Sequence, residues 1–348
     1  MARRSAVGLD VGTHAVHVAQ VSLERGQPVV TNFGGVALPE NAVREGEVVD
    51  VDTVAAAISQ LFADAGIRDR RVHIGVSNQR VVVRQVDLPY MDEEELRGAL
   101  RFQVQEYIPI PVEEAELDFQ TMDEFTGDGG ARMLRVMLVA AHREMVATHV
   151  GAATRARLRP VSVDLNAFAV LRALVPDPES VAGGEMLVDV GAGVTNILVH
   201  ERGVPRFVRI LVLGGGHITE ALVGGLAVPY HEAEATKAQR GLDTGDDETA
   251  RIIDARADQF VDEVRGSLDY YLAQTGTAQV ARVLLTGGGA KLRGLPERLS
   301  DTLRMPVEVG HAFQGVPPRG SVYGREELAE VEPVLTTAIG LALGGLTA

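Results

Sequence analysis

The pattern of hydrophobic and polar positions falls into two halves that begin alike. Ala6–Val21 (AVGLDVGTHAVHVAQV) and Met186–His200 (MLVDVGAGVTNILVH) each read as an apolar strand ending in Asp, a Gly-containing turn and a second strand of alternating apolar residues. After the first hairpin, Val54, Ile58, Leu61 and Phe62 recur at helical spacing within Val51–Ala65, and Gly66 supplies a stop. Val72–Val76 and Arg80–Val86 read as strands, so the first lobe is expected to open as strand, strand, helix, strand.

At Leu88–Pro89 the texture changes. Asp92 with Glu95 makes a capping-box-like start for a helix over Glu93–Tyr107, with Leu96, Leu100, Phe102 and Val104 as its apolar positions and Glu93, Glu94, Glu95 and Arg101 facing water. The helix stops before Pro109, and the IPIP run is extended. Leu117–Met122 and Met133–Ala140 read as strands around a turn at Thr126–Gly130, followed by a helix from Arg143 to Arg157. This stretch looks like a small inserted α+β module.

Pro160–Asp164 is a short strand leading into a helix over Asn166–Leu174, and Val175–Gly184 (VPDPESVAGG) is a linker. Beyond the second hairpin come a strand at Phe207–Leu213, a helix entered through Gly214–Gly216, a charged helix at His231–Arg240 closed by Gly241, and a polar turn at Asp243–Glu248. A long amphipathic helix follows from Glu248 to Gln274, its stripe including Ile252, Phe260, Val264, Leu268 and Tyr271. Val283–Thr286 is a strand ending in three glycines; a helix at Gly294–Leu303 and a strand at Val307–Val309 come next. Pro333 is expected in the first turn of a last helix over Val334–Leu343. The fold class is α/β with two lobes. Its divisions are a first-lobe core at 1–84 and 159–182, an inserted α+β subdomain at 85–158, a second-lobe core at 183–230 and 255–348, and a small helical subdomain at 231–254.

The chemistry on offer is that of a phosphate site. Turns built from Gly12 with Thr13, and from Gly191 with Gly193, let backbone approach a ligand because no Cβ intervenes and positive φ is permitted. Their N–H groups converge on a concavity suited to phosphate oxygens. Asp10 and Asp189 stand at the mouth of that cleft, placed to hold hydrated Mg²⁺, which prefers one or two carboxylates plus waters and phosphates. An ordinary hairpin turn is the alternative for either one alone; a matched pair at the start of each half is harder to dismiss. Gly287, Gly288 and Gly289 form a third such element, strand then glycine turn then helix. It is not a Walker loop, since Lys291 lacks the GxxxxG spacing and no Ser or Thr follows it, and GAGVTN lacks the third Gly of a Rossmann fingerprint. Asp164, at a strand end, could orient a water toward a γ-phosphate or simply cap the next helix. Glu234 and Lys237 share a helix face and could reach a ribose or form a solvated pair. HEAEA is not HExxH, and His14 and His17 stand outside any carboxylate cluster.

Composition narrows the classes. The 348 residues suffice for two lobes of ordinary core, and 46% hydrophobic with 23% charged residues is ordinary for a globular chain. The absence of Cys removes disulfides and thiolate chemistry and fits a reducing compartment. A net charge of −15 argues against nonspecific nucleic-acid binding and favours a basic partner segment. The start MARRSAVGLDVG is broken by Asp10 too early for a signal peptide, and no apolar stretch is expected to reach the roughly 20 residues of a membrane span.

Together, strand–DVGT–strand, strand–DVGAGVT–strand and strand–TGGG–helix resemble the phosphate-1, phosphate-2 and adenosine motifs of the actin, hexokinase and heat-shock ATPase superfamily. VDLNAFAVLRAL resembles the first interlobe connecting helix, with Asp164 at the acidic or amide position, and TTAIGLALGG the second, with Ala338 and Gly340 as small contact residues. The inserted stretch VDLPYMDEEELRGALRFQVQEYIPIPVEEAELDFQ is very similar to the signature of the PilM family of type IV pilus assembly proteins, which is related to FtsA. HEAEATKAQRG resembles its nucleotide-contacting helix. The chain departs from many relatives in carrying His17 where they have Lys, and a neutral imidazole there weakens phosphate binding.

The resemblance implies an actin-like ATPase fold with an α+β insertion in the first lobe, ATP and Mg²⁺ as ligands, and an adaptor role linked to lobe closure, with at most slow hydrolysis. It implies phosphate and Mg²⁺ contacts from Asp10, Gly12, Thr13 and His14 on one side and Asp189, Gly191, Gly193 and Thr195 on the other. Gly215, Glu234, Lys237 and Gly287–Gly289 would enclose the nucleoside. It further implies docking of the short cytoplasmic N-terminal peptide of PilN in the groove beside the inserted module, self-association, contacts with other pilus proteins and motor ATPases, and a cytoplasmic location tied to the membrane only through PilN. LALGGLTA ends without the amphipathic membrane helix of FtsA. A sugar or acetate kinase of the superfamily would need a substrate carboxylate and a larger elaboration, neither of which is legible; an FtsA-like filament former is the other alternative.

Overall fold

A computed structural model describes residues 4–181, 183–242, 245, 247–276, 279–320 and 324–347. The basic start at 1–3, linker residue 182, half of the expected polar turn (243, 244 and 246) and the last residue of the LALGGLTA end lie outside the described residues. Two five-stranded sheets carry the two halves, and their topologies match. In the first, β1 (Ser5–Val11), β2 (Ala15–Glu24) and β3 (Gln27–Ala37) form an antiparallel meander. A two-stranded ribbon, β4 (Val43–Arg44) and β5 (Glu47–Val48), leads to helix α1 (Val51–Asp64) and then to β6 (Arg71–Val76), which is parallel to β1. Asp50 caps α1 by accepting the Thr53 amide at 3.0 Å. Strand β3 corrects the expected strand, strand, helix, strand order. It is mostly half-buried without a clean alternation, and Gly34 and Gly35 interrupt it, so the period of two that marks a strand is missing.

The inserted module is a three-stranded antiparallel sheet in the order β7 (Val81–Pro89), β9 (Arg132–His142), β8 (Ala115–Thr126), backed by helix α2 (Glu93–Gln103). Asp92 caps α2 through the Glu95 amide at 2.8 Å. The helix ends at Gln103 instead of Tyr107. Leu96, Leu100 and Val104 are buried, but Phe102, expected on the apolar face, is 85% exposed. Two boundaries of the module also differ from the expected 85–158. Its sheet already begins at Val81, and helix α3 (Arg143–Arg155) packs through Ala152 and Ala153 into the first-lobe core beside Ile58 and Phe62 of α1.

Strand β10 (Arg159–Leu165) closes the first sheet beside β6, and α4 (Asn166–Leu174) follows. The second sheet repeats the first with β11 (Gly184–Val190), β12 (Thr195–Glu201) and β13 (Val204–Leu211) antiparallel, then β14 (Val280–Thr286) and β15 (Val307–Val309) parallel to β11. Helices α5 (Gly215–Leu226), α6 (Tyr230–Arg240), α7 (Glu248–Thr275) and α8 (Leu295–Leu303) surround it. Helix α7 runs unbroken through the boundary expected at 254/255, and its Phe260, Val264, Leu268 and Tyr271 enter the second-lobe core; Ile253 is buried where Ile252 is only partly so.

A short turn of helix, α9 (Ala312–Gly315), precedes α10 (Arg325–Thr347). Pro333 lies inside α10, not in its first turn. The two connecting helices are exchanged relative to the expected divisions. Helix α4, from the first half, buries Ala167, Val170 and Leu171 against Leu187, Leu198 and Leu284 of the second sheet. Helix α10, from the second half, covers Ala6, Ala19 and Val21 of the first. By length and composition α10 could cross a bilayer, against the expectation that no stretch would; here most of that apolar surface is spent inside the fold, with Ala338, Ile339 and Ala342 fully buried.

Candidate nucleotide site between two matched hairpins

The β1–β2 and β11–β12 hairpins are closed identically. Four residues separate the last pair Val11 and Val16, as they do Val190 and Thr195, and the Gly12 and Gly191 amides donate across the turn to Ala15 at 2.9 Å and Val194 at 3.0 Å. Gly12, Gly191 and Gly193 do not adopt positive φ, so the expected conformational reason does not operate. The requirement is close approach: a Cβ on Gly191 would lie 2.6 Å from the Val194 carbonyl, and one on Gly193 2.7 Å from the Thr13 hydroxyl of the opposite hairpin. The two turns therefore face each other across the cleft.

Beneath them is a cavity of about 260 Å³ lined by Asp10, Gly12, Thr13, His14, His17, Asn166, Asp189, Gly191, Gly287 and Gly288, among others. Burial, with the neighbouring Asp189 charge adding to it, pushes the Asp10 carboxyl up to about 7 despite a hydrogen bond from Asn166. Burial likewise pushes Asp189 up to about 6, against donors on Asn196 and Thr337. Two desolvated carboxyls facing one cavity carry a charge that either a proton or a cation relieves. No group of three or more His, Asp or Glu gathers to hold a metal among the described residues; the pair suits an ion that arrives with phosphate oxygens and water. The buried Oδ1 of Asn166, which lines the same cavity, has no partner. His17 is also here, and burial depresses its imidazole to about 4, so it is neutral.

A second, larger cavity of about 760 Å³ continues from the first, sharing His14, Gly191, Gly288 and Val334. Gly215, Gly289, Glu234 and Lys237 line it, with Phe260, Leu292 and Leu295 as apolar walls. Lys237 Nζ donates to the Gly215 carbonyl at 3.0 Å, Thr219 Oγ1 at 2.9 Å and Glu234 Oε2 at 2.8 Å. Burial alone would raise Glu234, but Lys237 and Thr219 hold its carboxyl below the ordinary value. Glu234 and Lys237 are thus a cavity pair and not a solvated one. Gly287 takes φ +83°, and a Cβ on it would strike the Val190 carbonyl and Asp189 Oδ1. Its amide donates to the Pro333 carbonyl at 3.0 Å, which fastens the third glycine turn to α10. His14, kept neutral by burial, meets the Tyr230 hydroxyl at 3.0 Å and so spans the two lobes where the cavities join.

Three expected residues line neither cavity, of which Gly193 sits at the turn against Thr13 of the opposite hairpin. The Thr195 hydroxyl points into the protein, donating to the Leu213 carbonyl at 2.7 Å. Asp164 is outside both cavities: its carboxylate is paired with Arg172 and accepts the Leu165 amide. The residue facing the cleft from this corner is Asn166, two positions on, whose Nδ2 lies 3.3 Å from Asp10 Oδ1. Asn166, Asn196, Ser77, Thr337 and Tyr230 were not singled out from sequence. Each is a common residue without a motif of its own, and only the facing of the lobes brings it to the cleft.

The cavity gives His17 a measurable role. His17→Lys is expected to strengthen Mg²⁺-ATP binding about tenfold by adding a charge-assisted donor at the phosphates, read by fluorescent-nucleotide titration. An unchanged affinity would show that position 17 does not reach them.

The profile of the family described as type IV pilus assembly protein PilM matches residues 8–346. The cell division protein FtsA of Pseudomonas aeruginosa is 23% identical over 98% of this chain and 89% of its own. Among solved structures, the fold is similar to that in a PilM–PilN type IV pilus biogenesis complex (TM-score 0.86, 29% identity, 98% of each chain). It is also similar to MreB5 of Spiroplasma citri bound to ADP (TM-score 0.53, 12% identity, 98% of this chain and 95% of that one), a likeness of fold alone. With the profile spanning nearly every residue, and two matched lobes carrying an inserted module, the chain belongs to the PilM family of type IV pilus assembly proteins.

Proposed function

We propose that this protein is an ATP- and Mg²⁺-binding adaptor of the inner-membrane platform that assembles type IV pili. The observation that carries the reading is the facing of two glycine hairpins of matched length and closure over Asp10 and Asp189, with a nucleoside-sized cavity continuing beyond. Gly12, Thr13, Gly191 and Gly193 would cradle phosphates, Asp10 and Asp189 would hold Mg²⁺ through water, and Gly215, Gly289, Glu234 and Lys237 would enclose the sugar and base. Asp10 of one lobe and Asp189 of the other would share the countercharge of one Mg²⁺, which would favour the closed arrangement. Hydrolysis is at most slow, because the residue at the water-facing corner is the amide of Asn166 and Asp164 is occupied by Arg172.

The partner in this reading is the cytoplasmic N-terminal peptide of PilN, seated in the groove between the first-lobe core and the inserted module. The net charge of −15 suits a peptide with basic flanks. Membrane association then comes through PilN, on the cytoplasmic face. The similar protein solved as a PilM–PilN complex supports this choice of partner. Calorimetric titration with the cognate PilN N-terminal peptide, with and without Mg²⁺-ATP, tests it. Binding that changes severalfold with nucleotide and is lost when the module is altered supports the adaptor reading, and no binding in either state would overturn it.

A further inference from the structure

The inserted module belongs to the first lobe by chain order, yet it is fastened to the second lobe as well. Ser77, in the turn between β6 and the module's first strand, donates to Asn196 Oδ1 of β12 at 2.5 Å. Asn196 in turn donates to Asp189 Oδ2 at 3.0 Å. All three side chains are buried (7%, 5% and 9% exposed) and line the small cavity, so the chain of hydrogen bonds runs from the cleft to the turn without crossing bulk solvent. The turn itself is pinned. Asn78 Nδ2 donates to the Glu45 carbonyl at 2.6 Å, Asn78 Oδ1 accepts the Arg80 amide at 2.7 Å, and a Cβ on Gly46 would run into the Ser77 carbonyl. Farther out, Gln85 of β7 donates to the Arg206 carbonyl, and Arg206 of β13 pairs with Asp123 of β8 at 2.7 Å while also holding Glu201 at 3.2 Å.

We propose that Ser77 and Asn196 are positioning residues that pass the occupancy of the Asp189 site to the inserted module, and that Arg206 makes the module move with the second lobe. The inference rests on the nucleotide reading above. Asn196 is held by the β-ladder of its own strand and by Ser77 across the cleft, so a displacement of the phosphate-2 hairpin cannot be absorbed locally. It is handed to the turn that roots β7. The module face beside the first-lobe core, where the partner peptide would sit, then shifts as the second lobe turns. One buried hydrogen bond of this kind carries a coupling of about fivefold to tenfold.

The test is hydrogen exchange across residues 81–142 of the full chain with and without saturating Mg²⁺-ATP, beside nucleotide affinity measured on the same samples. The wild-type chain should bind Mg²⁺-ATP and change module protection at least about threefold. Ser77→Ala should lose most of that change, and Ser77→Thr, which keeps the hydroxyl, should restore it. Arg206→Ala, remote from the cleft, should bind nucleotide as the wild type does yet show a reduced module response, and it tests the same coupling if Ser77→Ala does not fold. A wild-type chain that binds nucleotide without any change in the module, or a Ser77→Ala chain that responds in full, would overturn the inference. Failure of the wild type to bind Mg²⁺-ATP would instead remove the nucleotide reading, and the inference with it.

Discussion

Asp10→Asn is expected to raise the thermal midpoint of the nucleotide-free protein by several degrees above pH 7 while weakening Mg²⁺-ATP binding at least about a hundredfold. The two effects share one cause. Burial and Asp189 lift the Asp10 carboxyl from its ordinary 3.8 to about 7. A carboxyl that ionises near 4 when unfolded but near 7 when folded favours the unfolded chain increasingly as pH rises through that window, and the cost is complete above it. That cost is on the order of 4 kcal/mol for Asp10 alone. Asn keeps the shape and can still accept from Asn166, so the cost vanishes along with the charge that, in the proposed reading, would hold the cation. Differential scanning calorimetry from pH 3.5 to pH 8.5 checks the first half: the gap between the variant and the wild type should be full above pH 7, shrink as pH falls, and close only near the acid end. For the same reason, Mg²⁺-ATP should stabilise the wild type little at pH 5.5 and fully above pH 7.

Gly340→Val should be close to lethal for the fold, costing more than about 3 kcal/mol. Gly340 lies where α10 crosses α4, and a Cβ there would enter the Ala169 carbonyl and stand 2.9 Å from its Cα. The obstacle is backbone, which has no rotamer to yield, and the packed interior leaves no room for the helices to part. Gly8 of β1 repeats the constraint on the other side of α10, where a Cβ would lie 2.7 Å from the Ala342 amide. Because α4 packs on the second sheet and α10 on the first, a wedge at their crossing separates both lobes from their own connecting helices. Urea unfolding and soluble yield provide the measurement. Gly98→Ala is the control: its Cβ would meet nothing on the exposed face of α2, so helix propensity alone should stabilise by about 0.5–1 kcal/mol.

Much of this architecture was legible in the order of residues. The repeated strand, Asp, glycine turn and strand gave two lobes, and the structure makes the repetition literal in sheet topology and turn closure. The small contact residues Ala338 and Gly340 were implied by the resemblance of TTAIGLALGG to the superfamily's second connecting helix, and the structure supplies the physical reason at Gly340, where α10 meets the Ala169 backbone. What could not be read depends on contacts distant in sequence. Strand β3 lacks alternation because neither of its faces is wholly buried or wholly exposed. Pro333 looks like a helix start, yet it is accommodated inside α10, where its carbonyl accepts the Gly287 amide and the Thr286 hydroxyl. Asp164 had the position of a catalytic carboxylate, but Arg172, eight residues on, claims it, and Asn166 takes the place at the cleft. The exchange of α4 and α10 between the lobes follows from how the crossovers pack and is invisible to local periodicity.

In the proposed function, Asp10 and Asp189 jointly hold the cation of a Mg²⁺-nucleotide between the two hairpins. Titration calorimetry of Mg²⁺-ATP at pH 6.5, in two buffers of different ionisation enthalpy, addresses it directly. Binding should be accompanied by net proton release, which disappears by about pH 8.5 and is diminished in Asp10→Asn. Binding without proton release, equally strong in Asp10→Asn, or no binding at any pH, would contradict it.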